Sequence, residues 1–465
     1  MATVGYATVN PYTGETLKTF RDASGHDVQD MLAAGHQAWL GWRTTPVEQR
    51  AALMGRVAQV LRANAERYAA LITLEMGKLI GEAKAEIALS ADIFDYYAQN
   101  TAKLLAPEPL PTKDASTGKA ELHFEPLGIV FAVEPWNFPF YQVARVVAPQ
   151  LAAGNGVLLK HAQYVPQCAE AWVGIMKEAG VPDALFQNIF LRRHHVEEVI
   201  HDSRICGVAL TGGERAGAAI GAMAGAALKK CTMELGGSDP FIVLDDADVE
   251  KAAQWAAYGR HWNAGQVCVS AKRMIVVESV YDRFLELYKQ NVSKFVAGDP
   301  MNPATTLAPM VSQRAADHLK DQVDEAKLHG AKVESLGVNV PEKGAFFAPL
   351  LMTGLEDNEV RHWEFFGPVT QLFKAKDEAD AVRIANDSPY GLGGCVFTQD
   401  VQRGRAVAAQ VATGMMFINH PTMVRADLPF GGIKNSGFGR ELIGLGLKEF
   451  VNHKLVDVVD INAPF

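Results

Sequence analysis

The sequence predicts an α/β protein built from two doubly wound parallel-sheet domains with a small β arm for oligomerisation. Two observations predict it. Short apolar runs recur between amphipathic helical stretches, the texture of strands covered on both faces by crossover helices. The runs fall into two series, one before and one after Glu234, and 465 residues suffice for two or three domains. Hydrophobic residues at 48% and charged residues at 21% can bury a large core and exclude disorder as the main state. Forty-four basic against 53 acidic side chains give a net charge of -9, which repels nucleic-acid phosphates and anionic lipid.

Taken in order, residues 1–45 open with MATVGYATVNPYTG, and the first basic side chain is Lys18, so no secretion signal is expected. Residues 46–104 read as helices: Leu53, Val57, Val60 and Leu61 share one face, and Tyr68, Leu71 and Ile72 repeat the pattern after Asn64. Pro107, Pro109 and Pro111 end the helical region. Ala120, Leu122 and Phe124 then alternate with charged neighbours, as in a strand with one wet face that could pair with another subunit. GIVFAVE, GVLLK, FQNIF, ICGVAL and TMEL are the first strand series, with a helix over Gln167 to Ala179. FIVL, RMIVVE, TQLF, GCVF and MMFIN are the second, with helices over Val280 to Phe295 and Ala315 to Leu328. The tail from Leu455 to Ile461 is β-rich. The expected division is 1–111 with 128–234 as a dinucleotide-binding domain, 235–440 as a catalytic domain, and 112–127 with 445–465 as oligomerisation or bridging segments. The longest charge-free stretch, Ala406 to Val424, contains Gln410, Asn419, His420 and Pro421, so no transmembrane helix is expected. Five scattered cysteines with no CxxC pair argue against disulfides or zinc and fit a reduced, cytoplasmic setting.

No well-placed GxGxxG marks a dinucleotide site. The strand ICGVAL runs instead into Thr211-Gly212-Gly213 and an Ala/Gly-rich helix, where backbone could approach a pyrophosphate or simply pack closely against the sheet. Four further segments set polar residues among glycines and aromatics: EPWNFPF (134–140), MELGG (233–237), NAGQVCVSAKR (263–273) and EFFGPV (364–369). In this order and spacing, and with PFGGIKNSGFGRE near the C-terminus, they resemble the aldehyde dehydrogenase superfamily over essentially the whole chain.

The resemblance implies a role for each residue beside its plainer reading. Cys268 would otherwise be a buried hydrophobe; it matches the family's nucleophile, whose attack makes a planar carbonyl tetrahedral and able to release hydride. Glu234, otherwise an ion-paired or capping glutamate, matches the general base that activates the thiol or the water hydrolysing the thioester. Asn137, otherwise a turn residue, matches the oxyanion donor beside the Cys268 backbone N–H. For NAD or NADP the family implies Trp136, Lys160, Leu235, Glu364 and Phe366, with Gly212 and Gly213 at the pyrophosphate. The family often has a glutamate where this chain has Gln163, and a serine where it has Gly213. Losing that carboxylate removes repulsion toward a 2′-phosphate, so NADP is expected to be accepted. No metal is implied; His194, His195 and His201 lack HExxH spacing and read as solvent-facing.

For the substrate, Arg145 follows Asn137 by eight residues on what reads as one helix, which could turn both toward one tunnel and clamp a carboxylate. Bacterial succinate-semialdehyde dehydrogenases, a branch of the family, are similar at Arg145 and in LLKHA (158–162). Some of them have a second arginine where this chain has Trp262, and Arg425 is a candidate replacement. The alternative substrate is an uncharged aldehyde in a tunnel shaped by Trp172, Trp262 or Phe430. A rival of another class is a cofactor-independent thiol hydrolase pairing Cys268 with His261. The family also implies a homodimer or homotetramer.

Overall fold

The computed structural model describes residues 5–112 and 118–462; of the expected domain and bridging segments, 1–4, 113–117 and 463–465 lie outside the described residues. The first strand series forms a six-stranded sheet in the order Gly437–Phe438, Lys230–Glu234, Ile205–Thr211, Ile129–Glu134, Gly156–His161, Phe186–Asn188. All neighbours are parallel except the first pair. Successive residues serve opposite cores, as a two-residue side-chain period requires. Val130, Ala132, Val157 and Leu159 pack with helices Val47–Ala63, Ile80–Leu104, Tyr141–Ala153 and Pro166–Ala179. Ile129, Phe131 and Leu158 face Val28 and Leu32 of helix Gly25–Trp42 on the other side. Each such valine, leucine, isoleucine or phenylalanine, once fully buried, contributes about 2 kcal/mol.

Helix Gly25–Trp42 is absent from the elements expected above. Its start is a capping box: the Asp27 N–H donates to Ser24 Oγ at 3.2 Å, and the Ser24 N–H donates to the Asp27 carboxylate at 2.8 Å.

The second series forms a seven-stranded sheet in the order Lys332–Ser335, Leu350–Thr353, Val369–Ala375, Arg273–Val277, Pro240–Val243, Cys395–Phe397, Phe417–Ile418. Its two faces are equally dry: Ile242, Ile275 and Val277 enter one core, and Phe241, Val243, Met274 and Val276 the other. Of the two strands missing from the expectation, Lys332–Ser335 is the edge strand, where KVES has little apolar content to announce it, and Leu350–Thr353 lies just inside it.

Lys119–Pro126 pairs antiparallel with Val451–Val458 along its whole length, and Glu108–Pro109 joins on the other side. The two expected bridging segments therefore form one sheet. No described helix is long and apolar enough to cross a membrane.

In the six-stranded sheet the chain order reverses at Ile129–Glu134, which sits between Gly156–His161 and Ile205–Thr211. At such a reversal the loops leaving neighbouring strand ends diverge and open a crevice at their C-terminal edge. Glu134, His161, Thr211 and Glu234 all end strands at that edge. The segments EPWNFPF, Thr211-Gly212-Gly213 and MELGG begin or continue at these strand ends.

Candidate active site

The Cys268 loop is held by an unusual backbone. Asn263, Ala264 and Gly265 have φ of 51°, 53° and 73°, a left-handed run that reverses the chain after helix Val249–His261. Gly265 is required there, because a Cβ would lie 2.5 Å from the Gly367 carbonyl oxygen. The loop turns Cys268 toward a cavity of about 540 Å³ bordered by Phe138, Tyr141, Trp255, Tyr258, Trp262 and Phe430. Burial pushes the Cys268 thiol up to about 12, against the pull of the Lys272 and Arg145 charges. At rest the sulfur is a thiol. Lys272 Nζ donates to the carbonyls of Val267 and Cys268, both at 2.7 Å, and fixes the loop from below.

Asn137 precedes helix Tyr141–Ala153 and is not part of it, contrary to the expectation that it shares a helix with Arg145. Pro139 separates them, and the N–H groups of Phe140 and Tyr141 donate to buried Glu86 Oε1 at 2.8 and 3.1 Å, which sets the start of the helix. Asn137 is buried, and its Nδ2 donates to the Gln266 carbonyl at 3.0 Å while its Oδ1 accepts from Gln142 Nε2 at 3.0 Å. An amide nitrogen has two protons, so one donor stays available beside the cysteine loop. The Asn137 carbonyl is itself pinned by Lys78 Nζ at 2.9 Å and Asn263 Nδ2 at 3.0 Å. Neither lysine nor asparagine was singled out from sequence, although Asn263 opens the NAGQ segment.

Glu234 ends its strand with both carboxylate oxygens buried and without hydrogen-bond partners. Burial, with the Glu441 carboxylate nearby, holds its acid well above the usual carboxylate range, opposed by Arg145 and Arg440. Its Oε1 rests against Gly431, where a Cβ would come within 2.7 Å. The glycines after it admit the neighbouring loops: a Cβ on Gly236 would lie 2.4 Å from Glu364 Oε2, and one on Gly237 would lie 2.6 Å from the Cys268 carbonyl oxygen. Glu364 in turn accepts from the Gly237 N–H and pairs with Lys272, each at 3.1 Å. The strand end with Glu234, the cysteine loop and Glu364 are thus one contact cluster.

On the crevice side, Phe366 and Trp136 meet edge to face with ring centres 5.8 Å apart. Leu235 packs on Gly217, where a Cβ would fall 2.6 Å from it. The Gly212 N–H is spent on the Glu234 carbonyl at 2.9 Å. Gly213 caps helix Glu214–Ala226 with no side-chain partner, and a Cβ there would meet nothing within 4 Å. That helix start has free N–H groups and open space, as a pyrophosphate needs. Among the described residues the side chains of Lys160 and Gln163 have no hydrogen bond or ion pair, so the residues present fit a dinucleotide.

Of the expected substrate residues, Trp262 and Phe430 border the cavity. Arg145 does not. It is 1% exposed, forms an ion pair with Glu441, and donates to Tyr141 Oη at 3.0 Å and Thr211 Oγ1 at 3.1 Å. A guanidinium so committed stabilises the buried acids and cannot also clamp a substrate. Arg425 is half-exposed and forks onto Asp427 at 2.9 and 2.7 Å, outside the cavity that Cys268 faces. Trp172 is core, its Nε1 donating to the Pro139 carbonyl at 3.2 Å. His261, the partner in the hydrolase alternative, is buried among Tyr288 and Phe295 and pushed down to about 3 by burial and Arg260. It does not border the cavity. No group of metal-ligating side chains occurs among the described residues.

Comparison with known proteins gives the family. The model of the aldehyde dehydrogenase family matches residues 2–456. A Deinococcus radiodurans protein named succinate-semialdehyde dehydrogenase [NADP(+)] is 47% identical over 97% of this chain and 94% of its own length. One of the same name from Mycobacterium ulcerans is 42% identical over 97% and 99%. The crystal structure of succinic semialdehyde dehydrogenase from Streptococcus pyogenes in complex with NADP+ superposes with a TM-score of 0.95 at 43% identity, covering 98% of this chain and all of that one. This chain belongs to the aldehyde dehydrogenase family.

Proposed function

We propose that this enzyme oxidises succinic semialdehyde to the dicarboxylic acid with NADP as the preferred acceptor and NAD as a second one. One observation carries the chemistry: the Cys268 thiol opens into the aromatic cavity, while the free donor of Asn137, the Glu234 strand end and the dinucleotide crevice converge on its loop. Cys268 first gives up its proton to water in the cavity and then, as thiolate, adds to the carbonyl carbon, while Asn137 Nδ2 with the Cys268 N–H holds the oxyanion, worth about 3 kcal/mol for one such donor. The bound dinucleotide supplies the acceptor for the hydride that converts the adduct to a thioester. Trp136, Lys160, Gln163, Gly212, Gly213, Leu235, Glu364 and Phe366 would hold it. Glu234 then takes the proton of the water that hydrolyses the thioester, a task suited to a carboxylate held above its ordinary range.

Succinic semialdehyde as substrate and NADP as acceptor are supported by the names of the relatives at 42–47% identity. Among the described residues no arginine borders the cavity and its lysine, Lys78, is paired with Glu86, so a substrate carboxylate would meet the Trp262, Tyr258 and His420 side chains at the aromatic wall. The same aromatic lining favours a second reading, an uncharged aldehyde as substrate. Specificity constants for succinic semialdehyde and butanal, each with NAD and NADP, separate the two. Succinic semialdehyde is expected to win, and Trp262→Phe to cut its advantage by about 5-fold, the worth of one hydrogen bond. A wild-type preference for butanal overturns the assignment. The five free cysteines support a reduced, cytoplasmic setting. The exposed apolar strand near the C-terminus supports a homodimer or homotetramer.

A further inference from the structure

Lys160 leaves the end of its strand at the crevice with its Nζ 5.9 Å from the centre of the Tyr6 ring. The Tyr6 hydroxyl donates to the Leu191 carbonyl at 3.1 Å, so one side chain ties the Lys160 strand end to the segment after strand Phe186–Asn188. Two residues beyond Leu191 comes the short helical turn Arg193–His195. This brings a second cation, exposed Arg193, within electrostatic reach of Lys160, whose ammonium is pushed down to about 8 by burial and by Arg193.

Among the described residues no acid is paired with either. Asp22 is taken by Arg192 at 2.6 Å, and Glu198 by His195 at 3.0 Å and Gln29 at 3.1 Å. Arg193 itself has no ion pair or hydrogen bond among the described residues, and the adjacent Gln163 is neutral. Two like charges held together without a counter-charge repel each other unless an anion joins them.

We propose that Arg193, together with Lys160, binds the 2′-phosphate of NADP and sets the preference for NADP over NAD. The assignment rests on the NADP reading above and adds a residue from a different loop to it. A guanidinium can place two N–H groups on a phosphate, whereas the ribose hydroxyl of NAD has no charge to attract it.

Calorimetric titration with 2′,5′-ADP and with 5′-AMP tests this without turnover. Wild type is expected to bind 2′,5′-ADP more tightly. Arg193→Ala is expected to weaken 2′,5′-ADP by about 10-fold and 5′-AMP by less than about 2-fold, the loss of one charge-assisted contact. Arg192→Ala, which removes the same charge one residue away, should leave the ratio of the two affinities as in wild type. The proposal is overturned if Arg193→Ala keeps the wild-type ratio, or if Arg192→Ala lowers it equally. Equal binding of both nucleotides by wild type would instead overturn the NADP reading, and the Arg193 role with it.

Discussion

An amide at position 137 and a guanidinium at 145 illustrate what side-chain chemistry does and does not announce. Asn137 stood out because an amide between Trp136 and Phe138-Pro139 is a polar group in an aromatic setting, and its one free N–H beside the cysteine loop matches that reading. Asn137→Ala is expected to lower turnover by about 100-fold or more while leaving dinucleotide affinity within about 2-fold. Single-turnover kinetics and nucleotide titration check it, and unchanged turnover removes Asn137 from the oxyanion site. Arg145 looked like a substrate clamp because Glu441, distant in sequence, gave no sign of being its partner. In the fold it lies among Glu134, Glu234 and Glu441, all three raised by burial, and its charge limits their repulsion. Arg145→Met is expected to destabilise by about 3–5 kcal/mol, as when one partner of a buried pair is removed. It should leave the relative specificity for succinic semialdehyde and butanal unchanged; thermal unfolding and the specificity ratio read the two effects separately, and a changed ratio restores the clamp.

Strands and loops were legible to different degrees for a physical reason. Strands buried on both faces must be continuously apolar, so both series could be found; edge strands such as Lys332–Ser335 face solvent and left no such run. Helix Gly25–Trp42 was written in its capping box and in Val28, Leu32, Trp39 and Trp42, a signal present but unused. The glycines of MELGG were conspicuous, and the fold gives each a neighbour that a side chain would displace. Gly236 is the sharper test, since a Cβ would strike the end of Glu364, a movable side chain, and not backbone. Gly236→Ala should therefore alter the melting temperature little yet raise the KM for dinucleotide by about 10-fold, the loss of one well-placed hydrogen bond to a charged group. An unchanged KM would separate Glu364 from the dinucleotide site.

The whole molecule places its reactive parts where separate segments of the chain meet: the cysteine loop leads into the seven-stranded sheet, and Glu234 ends a strand of the six-stranded one. For the third sheet we propose a different task. Its edge strand Val451–Val458 and the following residues expose Leu455 at 60%, Val458 at 70% and Ile461 at 97%, an apolar border that a second subunit would cover. Sedimentation is expected to find a dimer or tetramer that Leu455→Lys combined with Val458→Lys reduces to smaller species; unchanged assembly would exclude this edge as the interface. That one thiol carries the acyl group across this junction can be checked by stopping the cycle before hydrolysis. Glu234→Gln protein mixed with succinic semialdehyde and NADP, then digested and weighed by mass spectrometry, is predicted to hold one succinyl thioester, on Cys268. A succinyl group on another cysteine, or none at all despite reduction of the dinucleotide, would contradict it.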